Sequence, residues 1–223
     1  MKIRKIKLYT NKLEEEKTFY SETLGFNIVE SNSNSFSVKV GWTDLTFEKN
    51  KKQHIYHYCF LIPSNKLQQA LEWMEKRIPI IEIEYGRKTQ RFESWDADSF
   101  YFYDASGNIA EFIVRTELNN GISSDFDIND VLCVNEIGMP TNNIKKTNTE
   151  LQEKFGTQFW KGDLDRFGTN GSQEGLFLLP NHEIKNIWFP TSSVKIKPEP
   201  FEILIENNGV KHRMNYKNGI ISV

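Results

Sequence analysis

Residues 5–10 alternate along the chain. Ile6, Leu8 and Thr10 fall on one side and Lys5, Lys7 and Tyr9 on the other, the period-two pattern of a half-buried strand. Asn11 suits a helix N-cap, and a helix is expected over roughly residues 12–24, with Leu13, Tyr20 and Leu24 on one side. Its first turn carries Glu14, Glu15 and Glu16, where acids meet the positive end of the helix dipole, and Gly25 is the stop signal. Three strands are expected next, near 27–30, 35–40 and 43–48. The order is βαβββ.

The pattern then repeats. A strand is expected over 55–62, broken by Pro63-Ser64, which opens a helix. In that helix Leu67, Ala70, Leu71, Met74 and Ile78 recur at spacings of three, four and seven, an amphipathic stripe that packs into a core. Pro79 ends it, a strand follows over 80–84, and 86–92 is a charged loop. Residues 94–115 read as strand, tight turn, strand. Phe100 to Tyr103 is an aromatic run of high β propensity, and Asp104-Ala105-Ser106-Gly107-Asn108 supplies the small and polar residues of a reversal. Ile109 to Val114 resumes an apolar strand with one carboxylate, Glu111, at its centre. A charge there must face solvent or find a partner.

Residues 116–130 are polar and rich in Gly, Asp and Asn, a linker by composition. Beyond it, a constant shift of 131 residues aligns the first unit with a third. Ile6 matches Ile137, Leu8 matches Met139, Thr10-Asn11 matches Thr141-Asn142, Leu13 matches Ile144, Leu24-Gly25 matches Phe155-Gly156, and Leu45 to Phe47 matches Leu176 to Leu178. Retained apolar and capping roles argue for a repeated fold unit. The end of the chain holds no helix of useful length. Strands over 201–205 and 210–216, joined across Asn207-Asn208-Gly209, read as a hairpin, a fourth unit that has lost its helix.

Composition narrows the function classes. The 223 residues are 38% hydrophobic and 26% charged, enough to bury a substantial core. A net charge of −2 gives no basic footprint for nucleic acid. No apolar run approaches the roughly 18 residues of a membrane span, and alternation from the first residues argues against a signal peptide. Two cysteines, Cys59 and Cys133, make neither a disulfide framework nor a CxxC pair. A reduced, cytoplasmic protein is expected.

Two stretches carry a family likeness: Lys5 to Asn11, followed by Phe19-Tyr20 and Leu24-Gly25-Phe26, and Tyr101 to Asn108, ending in Ala110-Glu111-Phe112. Together they resemble the vicinal oxygen chelate superfamily, which includes glyoxalase I, extradiol dioxygenases, and the bleomycin and fosfomycin resistance proteins. The resemblance implies an α+β fold of repeated βαβββ units whose curved sheets pair into a cup. It places one such domain in residues 1–115 and a degenerate one in 131–223, comprising one βαβββ unit and the helix-less C-terminal hairpin. Metal ligands in that family come from the first and last strands of each unit, which maps them to Lys5, Asp44, His57 and Glu111. The family has His where this chain has Lys5.

Two readings follow. A protonated Lys donates and cannot ligate, so Lys5 replaces the metal's charge and pairs with Glu111, and the cup binds a small organic molecule with metal absent or weakly held. Lys7, Trp42, Cys59 and Trp95 join Lys5 as ligand-binding candidates. Alternatively, Asp44, His57 and Glu111 hold iron, manganese, nickel or zinc in a lyase, isomerase or ring-cleaving dioxygenase, with Lys5 and Glu111 as catalytic groups. A structural role remains the bland alternative for each residue: a hydrogen-bonded strand His57, solvated lysines, an inert buried thiol, packed tryptophans. Glu136 falls at the first-ligand position of the third unit without a histidine beside it, so the second half reads as structural or as a dimer surface. Exposed strand edges at incomplete units favour a homodimer.

Overall fold

The computed structural model describes residues 1–223. The first unit comprises β1 (Lys2–Thr10), α1 (Leu13–Thr18), β2 (Ile28–Ser31), β3 (Ser35–Val40) and β4 (Thr43–Lys49). The second comprises β5 (His57–Leu61), α2 (Leu67–Glu75), β6 (Thr89–Phe92), β7 (Ala97–Tyr103) and β8 (Ile109–Arg115). The third comprises β9 (Cys133–Gly138), α3 (Ile144–Phe155), β10 (Phe159–Gly162), β11 (Phe167–Ser172) and β12 (Gly175–Pro180). The fourth is helix-less: β13 (Phe201–Asn207), β14 (Val210–Lys217) and β15 (Ile220–Ser222). No helix is long and apolar enough to cross a membrane.

Two curved sheets result, in the orders β15-β14-β13-β1-β4-β3-β2 and β10-β11-β12-β9-β5-β8-β7-β6. In each βαβββ unit the first strand pairs in parallel with the last, as β1 with β4, β5 with β8 and β9 with β12. Its other side then pairs antiparallel with the first strand of another unit: β1 with β13, and β5 with β9. Units one and four therefore share a sheet, and so do units two and three. Residues 1–115 supply half of each cup and do not close one by themselves. Alternation fixes which face of a strand is buried, but it carries no information on which distant strand lies beside it.

One apolar cluster draws on both sheets and all three helices. Phe112 sits within it, its ring 5.4–5.6 Å from those of Phe60, Phe100 and Phe102. Each ring buried this way stabilises by about 1.5–3 kcal/mol. The faces turned away from this core differ. Along β1 and β4 buried and accessible residues alternate, so the first cup is open to water. Every residue of β5, β8, β9 and β12 is buried, so the second cup is covered.

Several local elements depart from the periodicity. The first helix loosens after Thr18 into a wider π-type turn over Phe19–Thr23. Residues 80–84 make only isolated bridges, because β6 takes the edge of β7 from Ala97 to Phe100 and leaves Ile80 to meet Phe102. Residues 116–130 are packed, since Phe126 and Ile128 enter the core and Phe126 lies edge-on to Trp73 at 6.0 Å. The gapless repeat slips by one residue at its last strand. Ile6 opposes Leu45, while Ile137 opposes Phe177, so Leu45 corresponds to Phe177 and Phe47 to Leu179.

The turn between β7 and β8 is more than a reversal. Asp104 is buried and accepts from the Tyr58 hydroxyl at 2.5 Å, from Asn108 Nδ2 at 2.7 Å, and from the backbone N–H groups of Ser106 and Asn108 at 3.0 and 2.9 Å. The Tyr20 hydroxyl joins that of Tyr58. Glu16, from α1, is buried beside them: its Oε1 accepts from the Ser106 N–H at 3.1 Å, and its Oε2 has no partner.

Candidate functional site

β5 turns His57, Cys59 and Leu61 away from the main core, while Tyr58 and Phe60 enter it. β8 does the same with Glu111, Ile113 and Arg115, against Ala110, Phe112 and Val114. Alternate residues of a strand share a face. The third contributor, β9, departs from that rule. Its ladder with β5 passes from Glu136 opposite Cys59 to Val134 opposite Phe60, leaving Asn135 as an extra residue. Val134 and Ile137 both enter the core, so this bulge turns Asn135 and Glu136 together toward the covered cup. β1 has the same irregularity between Ile3 and Lys5, flanked by core residues Ile3 and Ile6.

Three polar side chains converge on this face. Nε2 of His57 lies 3.4 Å from Oε2 of Glu111, and donor atoms of His57, Glu111 and Glu136 all lie within 4.8 Å of one another. The Nδ1–H of His57 donates to the Ile109 carbonyl at 3.0 Å, which leaves Nε2 with a free lone pair toward the carboxylates. Burial pushes the imidazole down to about 4, the charge of Lys185 acting in the same direction, so the ring is neutral at pH 7. Burial and the neighbouring Glu136 push Glu111 up to about 8. Burial also pushes Glu136 up, against the pull of the fully buried Arg115, whose Nη2 donates to Glu136 Oε1. Arg115 Nε donates to Asn135 Oδ1 at 3.2 Å, and the guanidinium lies 5.1 Å from the Trp160 ring centroid.

By register the fourth corner is occupied by Leu178. His57 opposes Ile109 and Glu136 opposes Leu176; two residues further along stand Glu111 and Leu178. Three groups that can ligate therefore share a floor with one leucine. Above them is a cavity of about 370 Å³ walled by Phe92, Trp95, Tyr101, Phe167, Trp188 and Phe189. Its roof comes from the irregular segment between β12 and β13, with the Trp188 ring 4.9 Å from His57. A Cβ on Gly138 would come 2.7 Å from that indole. Gly138→Ala is therefore expected to lift Trp188 and increase quenching of tryptophan emission by acrylamide, at a stability loss of about 1–3 kcal/mol. Unchanged quenching would show that the roof does not rest on this contact.

The remaining candidates lie elsewhere. Lys5 and Asp44 are opposite one another in the open cup, 3.8 Å apart, and Asp44 also pairs with Lys39 at 2.8 Å. The expected Lys5–Glu111 pair does not form, because β1 and β8 belong to different sheets. Lys7 bridges Glu48 at 3.0 Å and Glu202 at 3.3 Å on the same open face. Asp44 is likewise separated from His57 and Glu111, so the set of Asp44, His57 and Glu111 is not assembled. Trp42 packs under Lys2 and against the small apolar cluster around Cys59, outside the cavity, whereas Trp95 lines it. The Cys59 thiol lies in that cluster, and burial with the carboxylates of Glu111 and Glu136 pushes it up, which removes it as a nucleophile. The second half of the chain supplies half of the cavity lining: Glu136, Phe167, Leu178, Lys185, Trp188 and Phe189.

Comparison with known proteins supports the architecture. No family model matches the sequence, and no curated protein matches it. Among solved structures, a Bacillus subtilis protein described as a candidate dioxygenase is similar with a TM-score of 0.58 and 18% identity, over 81% of this chain and 64% of that one. Glyoxalase I from Zea mays is similar with a TM-score of 0.53 and 12% identity, over 80% of this chain and 66% of the maize chain. This chain thus spans about two thirds of the length of either. Paired first strands, two curved sheets and these likenesses agree: the chain has the fold of the vicinal oxygen chelate superfamily.

Proposed function

We propose that the covered cup binds a small organic molecule beside a divalent metal ion held by His57, Glu111 and Glu136. The carrying observation is the convergence of an imidazole and two carboxylates within 4.8 Å at the floor of an aromatic cavity. The donor set suits the role. One nitrogen and two carboxylates match iron, manganese, nickel or zinc, and three protein ligands with Leu178 at the fourth corner leave an open side for a substrate. The one guanidinium at the site is taken up by Glu136, so Glu111 has no ion-pair partner of its own and a cation would take the place of the proton that burial holds on it. A bound ion would polarise a carbonyl or hydroxyl oxygen of the ligand. His57 is held in one tautomer by Ile109, and the Trp188 ring packs over it. Such a site fits an isomerase, a lyase or a ring-cleaving dioxygenase; the two structural neighbours are described as a candidate dioxygenase and a glyoxalase I.

The Arg115–Glu136 pair favours a second reading, a metal-free binding protein. In that case a basic side chain does stand in for the ion's charge, but it is Arg115 and not Lys5. Metal titration separates the two. After chelation and refilling with Fe(II), Mn(II), Ni(II) or Zn(II), elemental analysis is expected to find about one ion per chain. His57→Ala is expected to weaken retention by about tenfold or more. Equal, sub-stoichiometric metal in both proteins would leave the binding protein standing and remove the metalloenzyme.

A further inference from the structure

We infer that the ligand of the covered cup carries an anionic group, a carboxylate or its equivalent, on a flat aromatic body, and that Lys185 is the side chain that selects it. The inference rests on the reading that this cavity binds a small molecule, and it adds the ligand's chemical class. Lys185 is the only lysine or arginine lining the cavity. Its ammonium makes no ion pair and no hydrogen bond within the chain, and its one close electrostatic contact is the face of Phe167, 4.5 Å from the ring centroid. Arg115, behind the floor, pairs with Glu136 and donates to Asn135; its Nη1 has no partner, but it does not line the cavity.

A half-buried ammonium without a counter-charge has given up hydration and gained little in return. Aromatic faces recover a fraction of this loss; an incoming anion recovers the rest and sets specificity. Burial and the charge of Arg166 both push Lys185 down from its usual range, the effect of an uncompensated cation. Lys185 and His57 line the same cavity, so an anion held by Lys185 shares that space with the polar floor. The six aromatic walls complete the description, since flat rings stack against such faces, and about 370 Å³ leaves room for a two-ring body.

The test compares 2-naphthoate with its neutral counterpart 2-naphthamide, titrated into the full-length protein and into Lys185→Gln at matched metal content. Binding is read by quenching of tryptophan emission, since Trp95 and Trp188 line the site. The wild type is expected to bind the carboxylate at least tenfold tighter than the amide. Lys185→Gln should abolish that preference and leave the amide affinity within twofold, and Lys185→Arg should restore most of it. Equal affinities in the wild type, or a preference that survives Lys185→Gln, would overturn the role of Lys185 while leaving the cavity as a binding site. Failure of both probes to bind would overturn the binding reading as well. Because Lys185 is on an irregular segment at the cavity wall, an unchanged melting temperature in Lys185→Gln is also expected.

Discussion

Arg115→Leu is expected to destabilise the protein by about 3–5 kcal/mol, the usual result of removing one partner from a buried ion pair. The guanidinium is fully buried, donates to both Glu136 and Asn135, and its charge pulls on the carboxyls of both Glu136 and Glu111. Leucine matches its apolar stem but leaves Glu136 facing Glu111 with no counter-charge. Removing the second partner as well should recover much of the loss, so Arg115→Leu with Glu136→Gln is expected to be more stable than Arg115→Leu alone. Urea denaturation in a chelating buffer at pH 7 measures both. An Arg115→Leu protein within about 1 kcal/mol of the wild type would show that the pair does not compensate the cup floor.

The other large effect concerns Glu16. Burial, with the charge of Asp104 beside it, pushes its carboxyl up to about 10. The unfolded chain releases that proton near its ordinary value of 4.5, whereas the folded chain keeps it. Between those two values the native state binds the extra proton, so stability is greatest below pH 4.5 as far as this group is concerned and falls as pH rises toward 10. At about 1.4 kcal/mol per pH unit, the penalty at pH 7 is on the order of 3 kcal/mol. Glu16→Gln keeps the shape and the acceptor for the Ser106 N–H and removes the ionisable proton. It is expected to be more stable than the wild type at pH 7, and by a wider margin at pH 9. Melting curves at pH 5, 7 and 9 decide it, and parallel pH profiles for the two proteins would rule out a protonated Glu16.

Much of this architecture is legible in the chain because short-range periodicity reports faces. The opposition of Ile6 and Leu8 to Lys5 and Lys7, and of His57 and Cys59 to Tyr58 and Phe60, follows directly from a repeat of two. Adjacency of units does not follow, because nothing in β1 encodes that it lies beside β13. That gap put Lys5 in the place that Glu136 occupies. A signal for Glu136 does exist: in Val134-Asn135-Glu136-Ile137 two polar residues stand between two apolar ones, which breaks alternation where the strand bulges, and Ile3-Arg4-Lys5-Ile6 has the same form. The one-residue slip in the last strand of the repeat is invisible to apolar matching, since Leu176, Phe177, Leu178 and Leu179 are all hydrophobic. Arg115 read as the end of a strand, and Lys185 and Trp188 lie in a segment without periodicity, where a sequence pattern offers no direction for a side chain.

Joining the first strand to the thirteenth has a consequence for synthesis. Lys2 pairs with Glu206, whereas the strands of the other sheet, the one that carries the covered cup, all lie between His57 and Pro180. A ribosome adding roughly 5–20 residues per second delivers all strands of that sheet before the sheet of β1 has its last members. For on the order of ten seconds, β1 presents an unsatisfied edge to solvent or to a chaperone. In a nascent chain the sheet begun first is therefore the one completed last.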